Sequence, residues 1–444
     1  MRNVLLVTRN FAPTSHVSVE RAIKLAKYLP EFGWRPTILT GDRPSAGLPS
    51  DPALLEQLGG IDILRARAPE FSLFYRRPAA SATQASRALR SAPRRGPWHP
   101  KSWLVPDSQV LWYPFGVRTS LRAAPKAHWD AVVATSFPPT ALLIGRSVAA
   151  RLGIPYVADF RDAWTHYHHA PRRPAALARF ERWLETRVLA DAAAVVAVDY
   201  RMVAAPLARL PSSRRPPFHL IPNGYDEDDF AAARPRELPP FSIVHAGQLR
   251  RPPSTLWAAL TRVLNDRPEL RGHVHVWQIG FVDAAAAAEL DRPPEGVVVQ
   301  RVPPVPQREA IGYMLGADLL LVEEFRGVMP SKTLQYLRAG RPILGLLDGR
   351  GALEEVLRAV PHAHLTDLDD VDRTAAVLGQ LVAAPRGEPI PPSPDVLVYS
   401  RREIARRFAE LLEVACAHGS RQAASDPADG SLVPSGLTTA RSTP

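Results

Sequence analysis

Cysteine is almost absent from this chain of 444 residues, whose single example is Cys416. One thiol cannot form an intramolecular disulfide, and it excludes a metal site built from clustered cysteines. Long apolar runs are also missing, because the longest, such as residues 192–198, are too short to span a bilayer. The apolar residues 4–7 have the length of a strand and lack the cleavage site of a secretory signal, so we expect no export. These absences predict a cytoplasmic protein.

The length exceeds what one hydrophobic core usually supports, so we expect two domains. The hydrophobic fraction of 46% is ordinary for a globular protein. The formal net charge of +11 fits either an anionic partner or an arginine-rich surface with no such role. Many of the 46 prolines lie between periodic segments, where proline marks boundaries.

The first half alternates short apolar runs with segments of helical periodicity. Residues 4–7 read as a buried strand, and the loop after it is rich in turn-forming residues. Apolar residues then recur at helical spacing from Val19 to Leu29 before a second strand begins. Strand, loop, helix and strand open a doubly wound α/β domain, whose ligands bind beyond the carboxyl ends of the strands. The predicted strands are residues 4–7, 36–40, 131–134, 155–158 and 194–198.

The second half repeats this architecture, with predicted strands at residues 242–247, 274–279, 297–299, 318–322 and 343–346 and a helix at 331–339. The sequence therefore predicts an α/β protein of two domains, at residues 1–222 and 223–390. A C-terminal helix within 391–416 is expected to pack back on the first domain. Residues 417–444 have the composition of a disordered tail.

Residues 71–106 interrupt the first domain with seven basic residues, five aromatic residues and no acidic residue. This segment could hold the protein at an anionic membrane surface, where each basic residue contributes roughly 1 kcal/mol. A solvated or partly disordered loop explains the composition equally well. No recognised binding motif accompanies the charge, so we expect no nucleic-acid partner.

One stretch of the second half carries the clearest chemical signal. Pro330 and Ser331 are expected to open a helix, with Ser331 as its cap. The amides of the first turn, including that of Thr333, would point outward at the positive end of the helix dipole, which suits a diphosphate. Lys332 adds a full positive charge, and Gln335 could bond ribose hydroxyls. The alternative is an ordinary capped helix with a solvated lysine.

An ordered set of motifs, within roughly residues 1–415, resembles the retaining glycosyltransferases of the large family 4-like group. The segment from Pro330-Ser-Lys332 to Gly340-Arg-Pro342 looks like the donor-binding segment of that family. The resemblance implies the GT-B fold, in which two Rossmann-like domains face each other across a cleft. It also implies an acceptor bound by the N-terminal domain and a nucleotide-diphosphate sugar bound by the C-terminal domain as donor substrate. The other motifs are at residues 11–29, 129–136, 154–162, 221–226 and 245–247.

The resemblance also assigns a basic residue to the donor diphosphate, after the first strand of the second domain. Gly247 begins the segment concerned, in which Arg250 is the first choice and Arg251 the alternative. With Lys332, Arg250 would stabilise the leaving group in place of a divalent cation, so we predict no metal and no bound cofactor.

On the acceptor side, Arg161 and Asp162 end a predicted strand, and the resemblance places them near the sugar and the acceptor. An Arg–Asp pair that locks the loop is the alternative. His16, in the first loop, is the third catalytic candidate, and Ser15 and Ser136 are candidate acceptor-side residues.

A second group of histidines, His166, His168 and His169, has the density of a metal site. No pattern of carboxylates accompanies it, so we expect these side chains to be solvated.

Two departures from the family pattern leave other functions open. Residues 15–18 occupy the region of a glycine pair in many members, and two expected glutamates map to Gly327 and Gln335. An amide at Gln335 lacks the charge-assisted strength of a carboxylate. The alternatives are a non-catalytic binding or scaffold protein and a sugar-nucleotide epimerase of the same fold. The acceptor class stays open among glycans, lipid-linked glycans and small molecules, and contact with an anionic membrane would place the protein at its inner face.

Overall fold

The computed structural model describes residues 1–14, 17–43, 51–56, 58–69, 100–166, 173–324, 329–349, 351–384 and 387–425. Several predicted features lie outside these ranges: Ser15, His16, His168, His169, Gly327, residues 71–99 and residues 426–444.

Seven strands form the sheet of the N-terminal domain in the described part of the chain. They are β1 (Arg2–Val7), β2 (Trp34–Gly41), β3 (Asp62–Ala66), β4 (Ala131–Thr135), β5 (Tyr156–Phe160), β6 (Ala194–Ala197) and β7 (Phe218–Leu220). Their order is β3-β2-β1-β4-β5-β6-β7, and all neighbours are parallel. Every residue of β4 and β5 is buried, as expected where helices cover both faces of a sheet.

Helices cover both faces of this first sheet. They are α1 (Val17–Tyr28), α2 (Ala53–Glu56), α3 (Trp112–Ala127), α4 (Thr140–Leu152), α5 (Ala175–Ala190) and α6 (Ala204–Ala208). Side chains of α3 and α4 build the core on one face. Side chains of α1 and of the C-terminal helix build the core on the other.

The C-terminal domain repeats the arrangement with six strands. They are β8 (Ser242–Ala246), β9 (Val274–Ile279), β10 (Val297–Val302), β11 (Leu319–Glu323), β12 (Ile343–Leu347) and β13 (Ala363–Asp367). Their order is β10-β9-β8-β11-β12-β13, again with parallel neighbours. The helices are α7 (Glu227–Ala231), α8 (Ser254–Asp266), α9 (Ala284–Leu290), α10 (Gln307–Gly316), α11 (Lys332–Ala339), α12 (Ala352–Arg358) and α13 (Val371–Ala383).

Both sheets reverse their strand order at one point, between β1 and β4 in the first and between β8 and β11 in the second. A doubly wound sheet binds its ligands beyond the carboxyl ends of the strands at such a point. The prediction of two doubly wound α/β domains in a GT-B fold is confirmed.

The chain crosses between the domains twice, and the two crossings pair with each other. The amide of Tyr225 donates to the carbonyl of Tyr399 at 3.1 Å, and the amide of Arg401 donates to the carbonyl of Tyr225 at 2.8 Å. After the second crossing, the last helix packs on α1. The helices beside this crossing are α14 (Pro394–Leu397) and α15 (Arg401–Ser425).

The C-terminal helix begins within the range expected for it and ends beyond that range. Ser400 bridges to Tyr225, and the helix begins directly after this pairing, at Arg401. It continues to Ser425, so residues 417–425 of the predicted tail are helical. Within the ranges that the structure describes, no helix is long and apolar enough to cross a membrane.

Candidate active site

Lys332 lies at the strand-order reversal of the second sheet. It is the first residue of α11, and β8 and β11 end nearby at Ala246 and Glu323. The side chain is half-buried, and its Nζ lies 6.0 Å from the centre of the Tyr336 ring. Tyr336 is fixed in turn, because its hydroxyl accepts the amide of Ala246 at 2.8 Å. The predicted donor lysine is therefore held where a ligand of this fold binds.

A chain of hydrogen bonds, which we call the Lys332 relay, runs beneath this lysine through His245 and Gln278. The Nε2 of Gln278 donates to the carbonyl of Gly247 at 2.9 Å, which leaves its Oε1 to accept from His245 Nδ1 at 2.6 Å. The imidazole then carries its proton on Nδ1, and Nε2 is free to accept from the ammonium of Lys332, which contacts it. Both His245 and Gln278 are buried. Each hydrogen bond therefore determines which atom is the donor and which is the acceptor in the next one.

The charges around Lys332 are perturbed by burial. Burial lowers the pKa of Lys332, although the carboxylate of Glu323 opposes this shift. Burial raises the pKa of Glu323, against the charges of Lys332 and Arg251. Burial and the charge of Lys332 both lower the pKa of His245, which keeps the imidazole neutral as the relay requires. Lys332, Glu323 and His245 therefore each lose their charge more readily than the same groups do in water.

The two arginines of the predicted donor segment differ in position. The positive charge of Arg251 lowers the pKa of Glu323, although burial raises it more, and Arg251 Nη1 lies 3.8 Å from Asp348 Oδ2. Arg250 is exposed. The alternative choice, Arg251, is thus the arginine whose charge reaches the Lys332 site in this conformation.

The other residues predicted to bind the donor substrate differ in how far they are exposed to solvent. Gly247 is exposed, and a Cβ built on it would lie 3.5 Å from Lys332 Cδ, so its backbone borders the lysine. Gln335 and Pro330 are partly exposed. Thr333 is fully buried, and its amide donates to the carbonyl of Pro330 at 3.0 Å.

The predicted cap at Ser331 is wrong. Ser331 stands at the N-cap position of α11 but has helical dihedral angles, and its side chain makes no capping hydrogen bond. A capping side chain needs the extended backbone of a residue outside the helix, which Ser331 does not have. Its exposed hydroxyl is available to a ligand instead.

Three of the predicted residues of the N-terminal domain, Ser136, Arg161 and Asp162, lie together at the carboxyl ends of β4 and β5. Ser136 is fully buried, and its hydroxyl accepts the amide of Arg161 at 3.2 Å and donates to the carbonyl of Asp162 at 3.2 Å. The Arg161 side chain donates to the carbonyl of Phe137 at 3.3 Å and lies 3.7 Å from the Asp162 carboxylate. These bonds lock the turn and leave the Asp162 carboxylate, whose side chain is 40% exposed, as the accessible group.

Residues from both domains meet at one small cavity. Asp199 and Met202 follow β6 in the first domain, and Ser331 and Met329 precede α11 in the second. Arg201 of the first domain also lowers the pKa of the buried Glu324, although burial raises it more. The carboxyl end of β6 therefore faces the start of α11.

Metal ligands are not grouped in the described part of the chain, where no three His, Cys, Asp or Glu side chains are placed to hold an ion. Of the three clustered histidines, His166 is described. Its Nδ1 lies 3.1 Å from the hydroxyl of Thr165, in an exposed position.

His245 and Gln278 are site residues to which the sequence assigned no role, although His245 falls within the motif at residues 245–247. They interrupt two apolar strands, and they face each other across β8 and β9 in the same register. A polar residue inside a buried parallel strand needs a hydrogen-bond partner, and that is the available signal in the sequence. The strand register needed to pair the two is a property of the fold.

The family comparison covers the N-terminal domain. Residues 19–224 match the family described as the glycosyl transferase 4-like domain. This match confirms the resemblance over the N-terminal domain. No curated protein matches the chain.

Several solved structures resemble the whole chain. A sucrose-phosphate synthase from Thermosynechococcus elongatus is 14% identical, with a TM-score of 0.56 over 96% of this chain and 100% of that one. A trehalose-6-phosphate protein from E. coli, solved with UDP-2-fluoro glucose, is 12% identical, with a TM-score of 0.53 over 96% and 98%. A putative UDP-N-acetylglucosamine 2-epimerase from Listeria monocytogenes is 10% identical, with a TM-score of 0.51 over 97% and 99%. At these identities the likeness shows a common fold.

Proposed function

We propose that this chain, which has the GT-B fold and carries a glycosyl transferase 4-like domain at residues 19–224, transfers a sugar from a nucleoside diphosphate sugar to an acceptor hydroxyl. The donor binds at the C-terminal domain, and the acceptor binds at the facing edge of the N-terminal domain. The acceptor is a glycan, a lipid-linked glycan or a small molecule. The observation that carries the proposal is the placement of Lys332 by its relay at the strand-order reversal.

The reaction breaks the bond between the anomeric carbon of the sugar and the oxygen of the diphosphate, whose negative charge grows as that bond breaks. Lys332, the N-terminus of α11 and Arg251 or Arg250 would stabilise this oxygen, in the role that a divalent cation has elsewhere. The acceptor hydroxyl attacks from the same face of the sugar, and its proton passes to the departing phosphate oxygen. The configuration at the anomeric carbon is thereby retained.

The identity of the donor is the first thing to test. The E. coli structure of similar fold was solved with UDP-2-fluoro glucose, which makes UDP a natural first probe here. Ser331 and Gln335, both accessible beside Lys332, would bond to phosphate oxygens and ribose hydroxyls. Asp162 is the accessible group on the acceptor side, and His16 remains a candidate there.

Calorimetric titration with UDP, GDP and TDP tests the donor site. We expect wild type to bind one of them, and Lys332→Ala to weaken that binding by about ten- to hundredfold, because a charge-assisted hydrogen bond contributes about 1.5–3 kcal/mol. The control is Lys126→Ala, which removes an exposed lysine from α3 and should leave the affinity unchanged. Wild type that binds none of the three, or Lys332→Ala that binds equally well, would contradict the site.

Turnover separates an enzyme from a scaffold protein of the same fold. Hydrolysis or transfer from the donor that binds, abolished by Lys332→Ala, would establish glycosyl transfer. Tight nucleotide binding without turnover, tested with acceptors of all three classes, would favour the scaffold.

A further inference from the structure

Helix α5 exposes two large aromatic side chains to solvent. Phe180 and Trp183 are 47% and 55% exposed, and their rings stack with centroids 5.7 Å apart. Arg179 and Arg182 are exposed on the same helix. At helical spacing Trp183 stands between Arg179 and Phe180, with Arg182 beside them, and we call these four residues the α5 face.

The acidic side chains of α5 point into the protein, and Arg179 and Arg182 point outward. Both of its glutamates turn inward: Glu185 is fully buried and pairs with Arg209 at 2.9 Å, and Glu181 pairs with Arg173 at 2.6 Å. No ion pair holds Arg179 or Arg182 within the described residues. The outward surface of this helix therefore presents aromatic rings and positive charge without a compensating carboxylate.

A third exposed aromatic lies beside the start of α5. Arg173 donates to the carbonyls of Ser102, Leu104 and Pro106 at 2.7–2.8 Å, which fastens their turn to the helix. Trp103, in the middle of that turn, is 52% exposed. These hydrogen bonds therefore hold the turn that carries Trp103 beside the start of α5.

The inner side of α5 contacts the turn that follows β5 and carries Asp162. The indole nitrogen of Trp164 donates to Glu181 at 3.1 Å, and the amide of Thr165 donates to Glu185 at 3.1 Å. A surface docked on the outward side of α5 would therefore be separated from the proposed acceptor side by this one helix.

We propose that the α5 face docks the protein on an anionic lipid surface. Aromatic rings settle at the boundary between headgroups and acyl chains, and arginines beside them pair with lipid phosphates. The lack of an outward carboxylate on α5 selects an anionic surface over a neutral one. This contact does not depend on the proposed glycosyl transfer.

Co-sedimentation of the full chain with vesicles tests the contact. We expect binding to vesicles that contain phosphatidylglycerol, weaker binding at high salt, and little binding to pure phosphatidylcholine. Arg179→Gln with Arg182→Gln should weaken the binding about 25-fold, since each arginine near the headgroups contributes about fivefold. Phe180→Ser with Trp183→Ser should weaken it by about tenfold or more, because the rings no longer enter the interface.

Two matched controls distinguish vesicle binding by the α5 face from nonspecific effects of positive charge or of exposed apolar side chains. Arg292→Gln with Arg308→Gln removes the same charge from exposed positions of the C-terminal domain, and Leu397→Ser with Val414→Ser removes exposed apolar side chains elsewhere. Both should bind vesicles as wild type does. Thermal melting and nucleotide titration of each variant confirm that it is folded.

Three results would overturn the proposal. They are absence of wild-type binding to phosphatidylglycerol vesicles, equal binding to pure phosphatidylcholine, and equal loss in the control variants. Because nucleotide titration is measured on the same proteins, failure of vesicle binding and failure of the donor site are distinguished.

Discussion

At the scale of single residues, the charge of Lys332 depends on pH near neutrality. Burial lowers its pKa and raises the pKa of Glu323. A diphosphate beside Lys332 stabilises the ammonium, so binding raises the pKa again and takes up a proton. Glu323 becomes ionised as pH rises and then repels the diphosphate, so it too lowers the affinity at higher pH. The affinity for a nucleoside diphosphate should therefore fall as pH rises through the lowered pKa of Lys332 in the free protein.

Calorimetry in buffers of different ionisation heat measures this proton uptake. The titrations are run at neutral and mildly alkaline pH, above the second phosphate pKa of about 6. Lys332→Arg keeps its charge at every pH tested, so its affinity should depend less on pH. An affinity of wild type that does not change with pH would refute the coupling.

The relay predicts a shift in the same pH profile. His245→Leu removes the acceptor that stabilises the ammonium of Lys332, so the pKa of Lys332 should fall further and the loss of affinity should begin at lower pH. The affinity at neutral pH should drop about tenfold, in line with one hydrogen bond to a charged group.

Gln278→Leu should produce a shift in the same direction, because Gln278 accepts the Nδ1 proton of His245 and so keeps Nε2 as the acceptor for Lys332. The control is His273→Leu, an exposed histidine next to β9, which should leave the profile unchanged. A variant of His245 that loses affinity equally at every pH would indicate a merely structural role.

The sequence predicted Lys332 as a site residue, but it did not predict that His245 and Gln278 hold this lysine in place. Lys332 lies in a contiguous motif that local physics and family resemblance both mark. His245 and Gln278 lie 33 positions apart and meet only because β8 and β9 pair in that register. The exposure of Arg250 and the burial of Thr333 depend on tertiary packing, which no local pattern contains.

At the scale of elements, the central strands and the edge strand β10 were predicted, whereas the other three edge strands were not. Residues 4–7 and 131–134 are continuous apolar runs, because helices cover both faces of the sheet there. The strands missing from the prediction, β3, β7 and β13, are edge strands with polar residues. An edge strand has one neighbour and more solvent, so its composition resembles that of a loop.

Helix α1 carries a buried arginine, Arg21, whose partners cannot be predicted from the sequence of the helix. Arg21 binds both carboxylate oxygens of Asp159 at 2.9 Å and donates to the carbonyls of Ile221 and Pro222, also at 2.9 Å. It is 1% exposed, and Asp159 is fully buried. The partners lie more than 130 positions away, so helical periodicity alone could not locate them.

Breaking this pair should be costly. Arg21→Met leaves the carboxylate of Asp159 buried without its counterion, and we expect the apparent unfolding free energy in urea to fall by about 3–5 kcal/mol. Arg402→Met breaks the exposed pair with Glu31 and should cost about 0–1 kcal/mol. Adding Asp159→Asn to Arg21→Met should recover part of the loss, and a double variant that loses the sum of both single changes would show that the pair is not coupled.

At the scale of the whole molecule, the two domains are joined by the paired crossings. The donor is proposed to bind one domain and the acceptor the other, so transfer requires both domains to hold a common geometry. Gly224 lies against the second crossing, and a Cβ built on it would lie 2.1 Å from the carbonyl oxygen of Tyr399 and 2.6 Å from Ile404 Cδ1. Only a residue without a side chain fits between these segments.

Gly224→Ala should therefore separate the crossings and disturb the bonds between Tyr225 and the second crossing. We expect a loss of about 1–3 kcal/mol in apparent unfolding free energy, as for an overpacked core. Nucleotide affinity should stay near that of wild type, because the Lys332 relay lies within one domain, whereas the transfer rate should fall strongly. The control is Gly379→Ala in α13, where no atom lies within 4 Å of the added Cβ, and it should stabilise by about 0.5–1 kcal/mol. If Gly224→Ala lowered nucleotide affinity and transfer equally, the crossings would act on the donor site itself and not on the alignment of the two domains.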